Sequence, residues 1–267
     1  MKRDIRTTDD LLGVLDRLFA DGGADRWTEE SGASWWDGFY ANRNRPIPFF
    51  VDKPDENLAA YLDRGLIAAP GRVLELGCGP GRNAVHLASR GFAVDAVDLS
   101  PAAVAWGEER ARAAGVDVRF HCADVFAAEL PAEPYDLVYD SGCLHHLPPH
   151  RRLSYLALLD RALAPGGHFA LTCFAAGRMG SELPDEEFYR RRSLEGGLAY
   201  APDDLRRLFA RYEEVELRPM AEQPDSAPVF GVPFLSAGLF RRPPGDSPRP
   251  GRPGVEVAPD RPESPGM

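Results

Sequence analysis

The stretch VLELGCGPGRNAVHLASRGFAVDAVDLS at residues 73–100 restricts the fold more than any other part of the chain. An apolar run enters Gly77, Gly79 and Gly81, a helix-like segment follows, and a second apolar run ends at Asp98. A turn stripped of β-carbons can take positive φ and let a ligand approach the backbone closely. In an open parallel sheet such a turn lies beyond the carboxyl ends of the strands, where ligands bind. Asp98, about 21 residues after Gly77, is placed to accept hydrogen bonds from a ribose diol. The stretch therefore encodes a nucleoside-binding crevice.

The rest of the chain supplies a sheet to carry that crevice. RVLEL, FAVDAVD, VRFHC, YDLVYD and HFALTCF read as strands, with NAVHLASR, PAAVAWGEERARAAG and HRRLSYLALLDRALA between them as helices. Alternation of this kind predicts a Rossmann-like, doubly wound α/β sheet with helices on both faces. A helix at DDLRRLFARY precedes EEVELRP and VFGVPFLSAGLFRR, a closing pair of strands. The chain divides into an N-terminal helical and aromatic cap at 1–70, a core domain at 71–242 and a Pro/Gly-rich tail at 243–267. The tail has too little apolar surface to offset its ordering entropy and reads as disordered. In the cap, residues 7–20 form an amphipathic helix, residues 27–54 carry aromatics in an irregular frame, and 55–68 are helical again.

Spacing and charge choose among nucleosides. A dinucleotide site wants GxGxxG, whereas this loop is GxGxG with Arg82 at the sixth position. Glu75, two residues before the first glycine, would repel a pyrophosphate and attract a ligand with an ammonium or sulfonium group. S-adenosylmethionine has both and no phosphate, which prefers it to NAD. The net charge of −10 argues against a nucleic-acid partner. No apolar run reaches membrane-spanning length, the charged start is unlike a signal peptide, and the four cysteines share no CxxC spacing. A cytoplasmic protein with reduced thiols is expected.

ELGCGPG, the acid closing VDAVDLS, the later ADVF, and YDLVYDSGCLHHL followed by LAPGGHFALT resemble the ordered motifs of class I S-adenosylmethionine-dependent methyltransferases, over roughly residues 71–240. The resemblance implies a seven-stranded sheet whose last strand is antiparallel. It also implies that Gly77, Gly79 and Gly81 pass under the methionyl part of the cofactor, with Glu75 at the mouth of the loop. Asp98 would hold the ribose, with Leu99 against the adenine. Asp124 and Val125 would meet the adenine amine and ring, and Ser141 the methionyl end. The N-terminal frame and the loop after the fourth strand look more loosely like the small-molecule branch that includes thiopurine, thiol and tellurite-resistance methyltransferases.

Methyl transfer from a sulfonium mainly requires a held nucleophile and exclusion of water, so a base is optional. His145 and His146, after the fourth strand, are the candidate bases; the alternative is that one lines the crevice while the other packs. His146 and His150 have metal-pair spacing, but Pro148 and Pro149 between them prevent a shared helical face, so no metal is expected. The acceptor is expected to be a small molecule, with Trp36, Tyr40, Phe50, Phe174, Arg178, Met179 and Tyr200 as wall candidates and the aromatic segment at 35–50 as a lid. The insertion AAGRMGSELPDEEFYRRRSLEGGLAY is either part of that wall or a surface loop. Two other functions share the crevice: a regulatory protein that binds the cofactor without chemistry, and an NAD-dependent oxidoreductase.

Overall fold

A computed structural model describes residues 5–20, 26–28 and 32–245. The tail assigned from composition therefore lies, from residue 246 onward, outside the described residues. Seven strands form one sheet: β1 (Arg72–Leu76), β2 (Ala93–Asp98), β3 (Arg119–Cys122), β4 (Tyr135–Ser141), β5 (Leu163–Phe174), β6 (Glu213–Pro219) and β7 (Leu235–Arg241). Their spatial order is β3-β2-β1-β4-β5-β7-β6. The first five run parallel, and β7 lies antiparallel between β5 and β6. The seven-stranded α/β sheet with an antiparallel last strand is thus present as expected.

Burial explains why these runs became strands. Val73, Leu74 and Leu76 of β1 are wholly buried, as a strand covered by helices on both faces must be. The edge strand β6 instead carries Glu213, Glu214, Glu216 and Arg218, charges that discourage pairing with another chain. Chain order reverses at β1, whose two parallel neighbours are β2 and β4, so the carboxyl ends of β1 and β4 open the crevice.

Eight helices among the described residues flank the sheet: α1 (Thr8–Ala20), α2 (Gly32–Ala41), α3 (Glu56–Asp63), α4 (Arg82–Ser89), α5 (Pro101–Ala114), α6 (Arg151–Ala162), α7 (Asp185–Arg191) and α8 (Pro202–Leu208). The start of α5 has Ser100 accepting the Ala103 N–H at 3.1 Å with Pro101 in the first turn, and Gly115 ends the helix at φ 67°. Leu58, Tyr61 and Leu62 of α3 pack with Val73, Leu87 and Phe92 in one core cluster.

The aromatic frame at 27–54 is less irregular than its composition implied, because α2 occupies its centre. Trp35, Trp36, Phe39 and Tyr40 recur at helical spacing, and the packing of those rings against one another along one side orders the segment. Asp37 fastens α2 to the body by accepting the Ala102 N–H at 2.8 Å and the Ser100 hydroxyl at 3.3 Å, at the start of α5. Arg43 pairs with Glu109 beyond the helix. Farther back, Asp16 of α1 accepts from the Trp27 indole and is flanked by His150 Nε2 at 2.8 Å and Arg151. No described helix is long and apolar enough to cross a membrane.

Candidate active site

A cavity of about 470 Å³ opens over the carboxyl ends of β1 and β4. Its floor is the glycine loop. Gly77, Gly79 and Gly81 take φ values of 62°, 51° and 70°, all in the left-handed region. A β-carbon at Gly79 would lie 2.9 Å from the Tyr40 hydroxyl, so the loop could carry no side chain under α2. Gly77 and Gly79 line the cavity, whereas Gly81 turns the chain into α4 against the Phe120 ring.

Asp98 ends β2 beside that loop. Its Oδ2 accepts the Gly79 N–H at 2.8 Å and its Oδ1 the Ser100 N–H at 2.9 Å, which holds the carboxylate at the cavity wall. Burial raises it to about 6, against the lowering effect of those two amides. Leu99 and Val125 line the cavity. Asp124 does not; it closes the turn around Val125 by accepting the Phe126 N–H at 2.8 Å.

Glu75 departs from its expected electrostatic role. Its side chain is 1% exposed, and burial raises its carboxyl to about 8, so it is mostly protonated at neutral pH rather than a standing charge at the mouth. Its Oε2 has no hydrogen-bond partner. An orphaned buried oxygen in a cavity wall suits a cationic or hydrogen-bond-donating ligand group, which would supply the partner and draw off the proton. A diphosphate would do neither. The preference for a cationic ligand therefore stands on the missing partner, not on repulsion.

Beneath the cavity lies a buried polar hub. Asp55, wholly buried before α3, accepts from Arg82 at 2.6 Å, Asn83 at 3.0 Å, and Tyr139 and Ser141 at 2.7 Å each. Arg82, the residue that breaks GxGxxG, also donates to the Lys53 carbonyl and to Ser141 Oγ. Ser141 lines the cavity, and its hydroxyl is turned to Asp55 and Arg82. Asp55 is spread over no motif; its one trace in the sequence is an acid before a helix.

The two histidines stand on a short 3-10 turn, Leu144–His146, held by Asp140, which accepts the Cys143 and Leu144 N–H groups and the Tyr155 hydroxyl. His145 stacks on Phe174 with centroids 3.7 Å apart, and its Nδ1 accepts the Phe174 N–H at 3.3 Å. That bond commits Nδ1 as an acceptor, leaving the proton on Nε2. Burial pulls His145 well below the usual imidazole range and His146 down to about 3. His146 meets Trp36 edge-on at 5.0 Å. His150 faces the other way, onto Asp16 and the Tyr189 hydroxyl.

Of the wall candidates, Trp36, Tyr40, Phe174 and Met179 line the cavity. Phe50 lies behind Tyr40, stacked on it at 5.6 Å and edge-on to Trp106, and its neighbour Phe49 faces the cavity instead. Arg178 is exposed and outside the lining. Tyr200 belongs to a separate cavity of about 610 Å³ and accepts from Arg152. Side chains at a strand end point by turns into and out of the crevice, and sequence alone does not give that phase in loops. Trp35, Phe39, Phe230 and Phe234 line the cavity without having been singled out. The spacing of residues 35, 36, 39 and 40 was the available signal for the first two.

Residues 73–167 match a family model described as a methyltransferase domain. They form a class I methyltransferase domain. The chain is 41% identical over 124 residues to trans-aconitate 2-methyltransferase of Methylobacterium nodulans, covering 46% of this chain and 45% of that protein. It is 31% identical over 172 residues to 27-O-demethylrifamycin SV methyltransferase of Amycolatopsis mediterranei, covering 63% and 60% respectively. The chain thus spans about half the length of these curated relatives. A structure solved in work on conversion of a disulfide bond into a thioacetal group during echinomycin biosynthesis superposes with a TM-score of 0.62 at 25% identity, covering 80% of this chain and 94% of that one. The methyltransferase domain holds the glycine loop, Asp98 and the histidine turn, while α1, α2 and α3 precede it.

Proposed function

We propose that this protein transfers a methyl group from S-adenosylmethionine to a small molecule held between the glycine loop and α2. The observation that carries the reading is the division of one cavity into two chemistries. One end has backbone amides, Asp98 and the unpartnered Glu75; the other has aromatic rings. When bound, S-adenosylmethionine supplies a methyl on a sulfonium, already activated for displacement. Asp98 accepts hydrogen bonds from its ribose, Leu99 and Val125 cover its base, and Glu75 accepts from its cationic end. Trp36, Tyr40 and Phe174 position the acceptor and keep water away from it.

The His pair divides its work. His145, with Nδ1 committed to the Phe174 N–H, offers Nε2–H as a donor to the acceptor. His146 is neutral and lines the cavity, and at about 3 it is too weakly basic to take a proton from an alcohol or amine. It orients the acceptor rather than deprotonating it.

The same weak base favours a second reading, a regulatory protein that binds the cofactor without chemistry. S-adenosylhomocysteine should raise the melting temperature under either reading and NADH should not. Labelled S-adenosylmethionine offered with phenols, carboxylic acids, thiols and amines separates the two. Transfer to any of them supports the enzyme; transfer to none across pH 6–9 supports the binding protein.

A further inference from the structure

The acceptor end of the cavity contains one charge that nothing described there balances. Arg26 lines the cavity, and its guanidinium carbon lies 4.0 Å over the Trp35 ring. The other Arg, Asp and Glu side chains in the lining are Arg82, which is paired with Asp55, and the two acids Glu75 and Asp98 on the glycine-loop side. Among the described residues no carboxylate is paired with Arg26. Burial alone pulls it below its usual value, with no acid pushing back. Its charge reaches the His146 ring and helps keep that ring neutral. The surrounding walls are Trp35, Trp36, Phe39, Phe49 and Phe174. A half-buried guanidinium in such surroundings is costly unless an anion joins it, and Arg is the side chain best shaped to hold a planar oxyanion.

We propose that Arg26 is the acceptor-recognition residue, and that the natural acceptor is an apolar, ring-bearing molecule with one ionised oxygen group, a carboxylate or a phenolate-type oxygen. This rests on the methyltransferase reading and gives it a substrate class. It also resolves the missing base. The acceptor loses its proton to water before it binds, so no proton has to be removed inside the site. An oxygen lone pair of the acceptor forms the bond to the methyl carbon, and the carbon–sulfur pair stays with sulfur. An anion and a sulfonium thereby become two neutral groups, an ester or ether and a thioether.

The probes are 2-naphthoate and 2-naphthamide, alike in shape and different in charge, titrated into the full chain with and without S-adenosylhomocysteine. Wild type should bind the anion at least about tenfold more tightly. Arg26→Gln should bring the two within about twofold, and Arg26→Lys should keep part of the preference. The melting shift given by S-adenosylhomocysteine should be the same in all three proteins, which also shows that the variants fold. The His146 ring, followed by NMR, should titrate at higher pH in Arg26→Gln than in wild type. Equal binding of the two probes by wild type, or an undiminished preference in Arg26→Gln, overturns the proposal. Loss of the S-adenosylhomocysteine response with the charge preference intact would instead sink the parent reading and leave Arg26 as an anion receptor.

Discussion

The two ends of the cavity are built by different means. At the glycine-loop end the lining comes from backbone and from acids fixed by backbone: Gly77 and Gly79, and Asp98 between the Gly79 and Ser100 amides. At the α2 end it comes from side chains of well-separated segments: Arg26, Trp36, Phe49, Phe174 and Phe234. The first end suits one invariant ligand, because its shape is set by φ angles that only glycine takes easily. The second can be altered ring by ring without disturbing the turn. That is the division expected under the proposed function, with one fixed methyl donor and a variable acceptor.

The hub beneath both ends is where the contrast can be broken most severely. Asp55→Ala should leave Arg82 as an uncompensated buried charge and remove the partner of Tyr139, Asn83 and Ser141. The expected loss is about 3–5 kcal/mol of stability, read by denaturant unfolding. A loss below about 1 kcal/mol would show that the hub does not bind the two ends into one unit. Asp98→Ala is more selective. It should weaken S-adenosylhomocysteine binding about a hundredfold, since hydrogen bonds to a charged acceptor contribute about 1.5–3 kcal/mol each. Naphthoate binding at the other end should not change. Parallel losses at both ends would mean that the ends are not separate.

How much of this could be read in the chain divides along the same line. β1 and β2 were legible because buried parallel strands are continuous apolar runs, and the loop because its glycines mark the positive φ angles directly. The aromatic end was legible only as a region. Trp36, Tyr40, Phe174 and Met179 line it, but Phe50 and Phe49 exchange places, and Tyr200 points into another cavity. Those positions depend on how α2 is seated on α5, a contact between residues more than sixty apart in sequence. Asp55 was hidden for a related reason. Its four partners come from α4 and β4, and no local pattern joins them.

pH should separate the ends in opposite windows. Asp98 and Glu75 are raised in the folded protein, to about 6 and about 8, so the unliganded fold is favoured at low pH and loses that contribution as pH climbs through those values. A cationic ligand favours the ionised carboxyls, so S-adenosylmethionine should bind more tightly as pH rises from 6 to 8, by about fivefold between pH 7 and 8. Calorimetry in buffers of different ionisation enthalpy should detect the released proton. Glu75→Gln should flatten the upper part of the slope. His145 and His146 are lowered, His146 to about 3, so their contribution is present above the ordinary imidazole value and fades only under acid. Neither ring changes charge between pH 7 and 9, and naphthoate affinity should be level there. A slope at the acceptor end over that range would reassign the titrating group.

The smallest expected effect concerns how α2 is held. Asp37 serves α5 as a second, external cap, accepting the Ala102 N–H while Ser100 accepts the Ala103 N–H. Its loss exposes an orphan amide at a helix start, a cost of about 1 kcal/mol. Because the acid belongs to α2 and the amide to α5, that cost falls on the docking of the two helices more than on either alone. Asp37→Ala should therefore leave unfolding nearly unchanged while hydrogen exchange rises along α2. Acceptor KM should increase a few-fold with cofactor affinity unaltered, and Asp37→Asn, which keeps an acceptor oxygen, should restore most of it. If acceptor KM rises and cofactor affinity falls together, α2 is a shared wall of both ends, as the 2.9 Å approach of the Tyr40 hydroxyl to a β-carbon at Gly79 would then explain. If only the acceptor responds, Tyr40 touches the loop without shaping it, and α2 belongs to the acceptor alone.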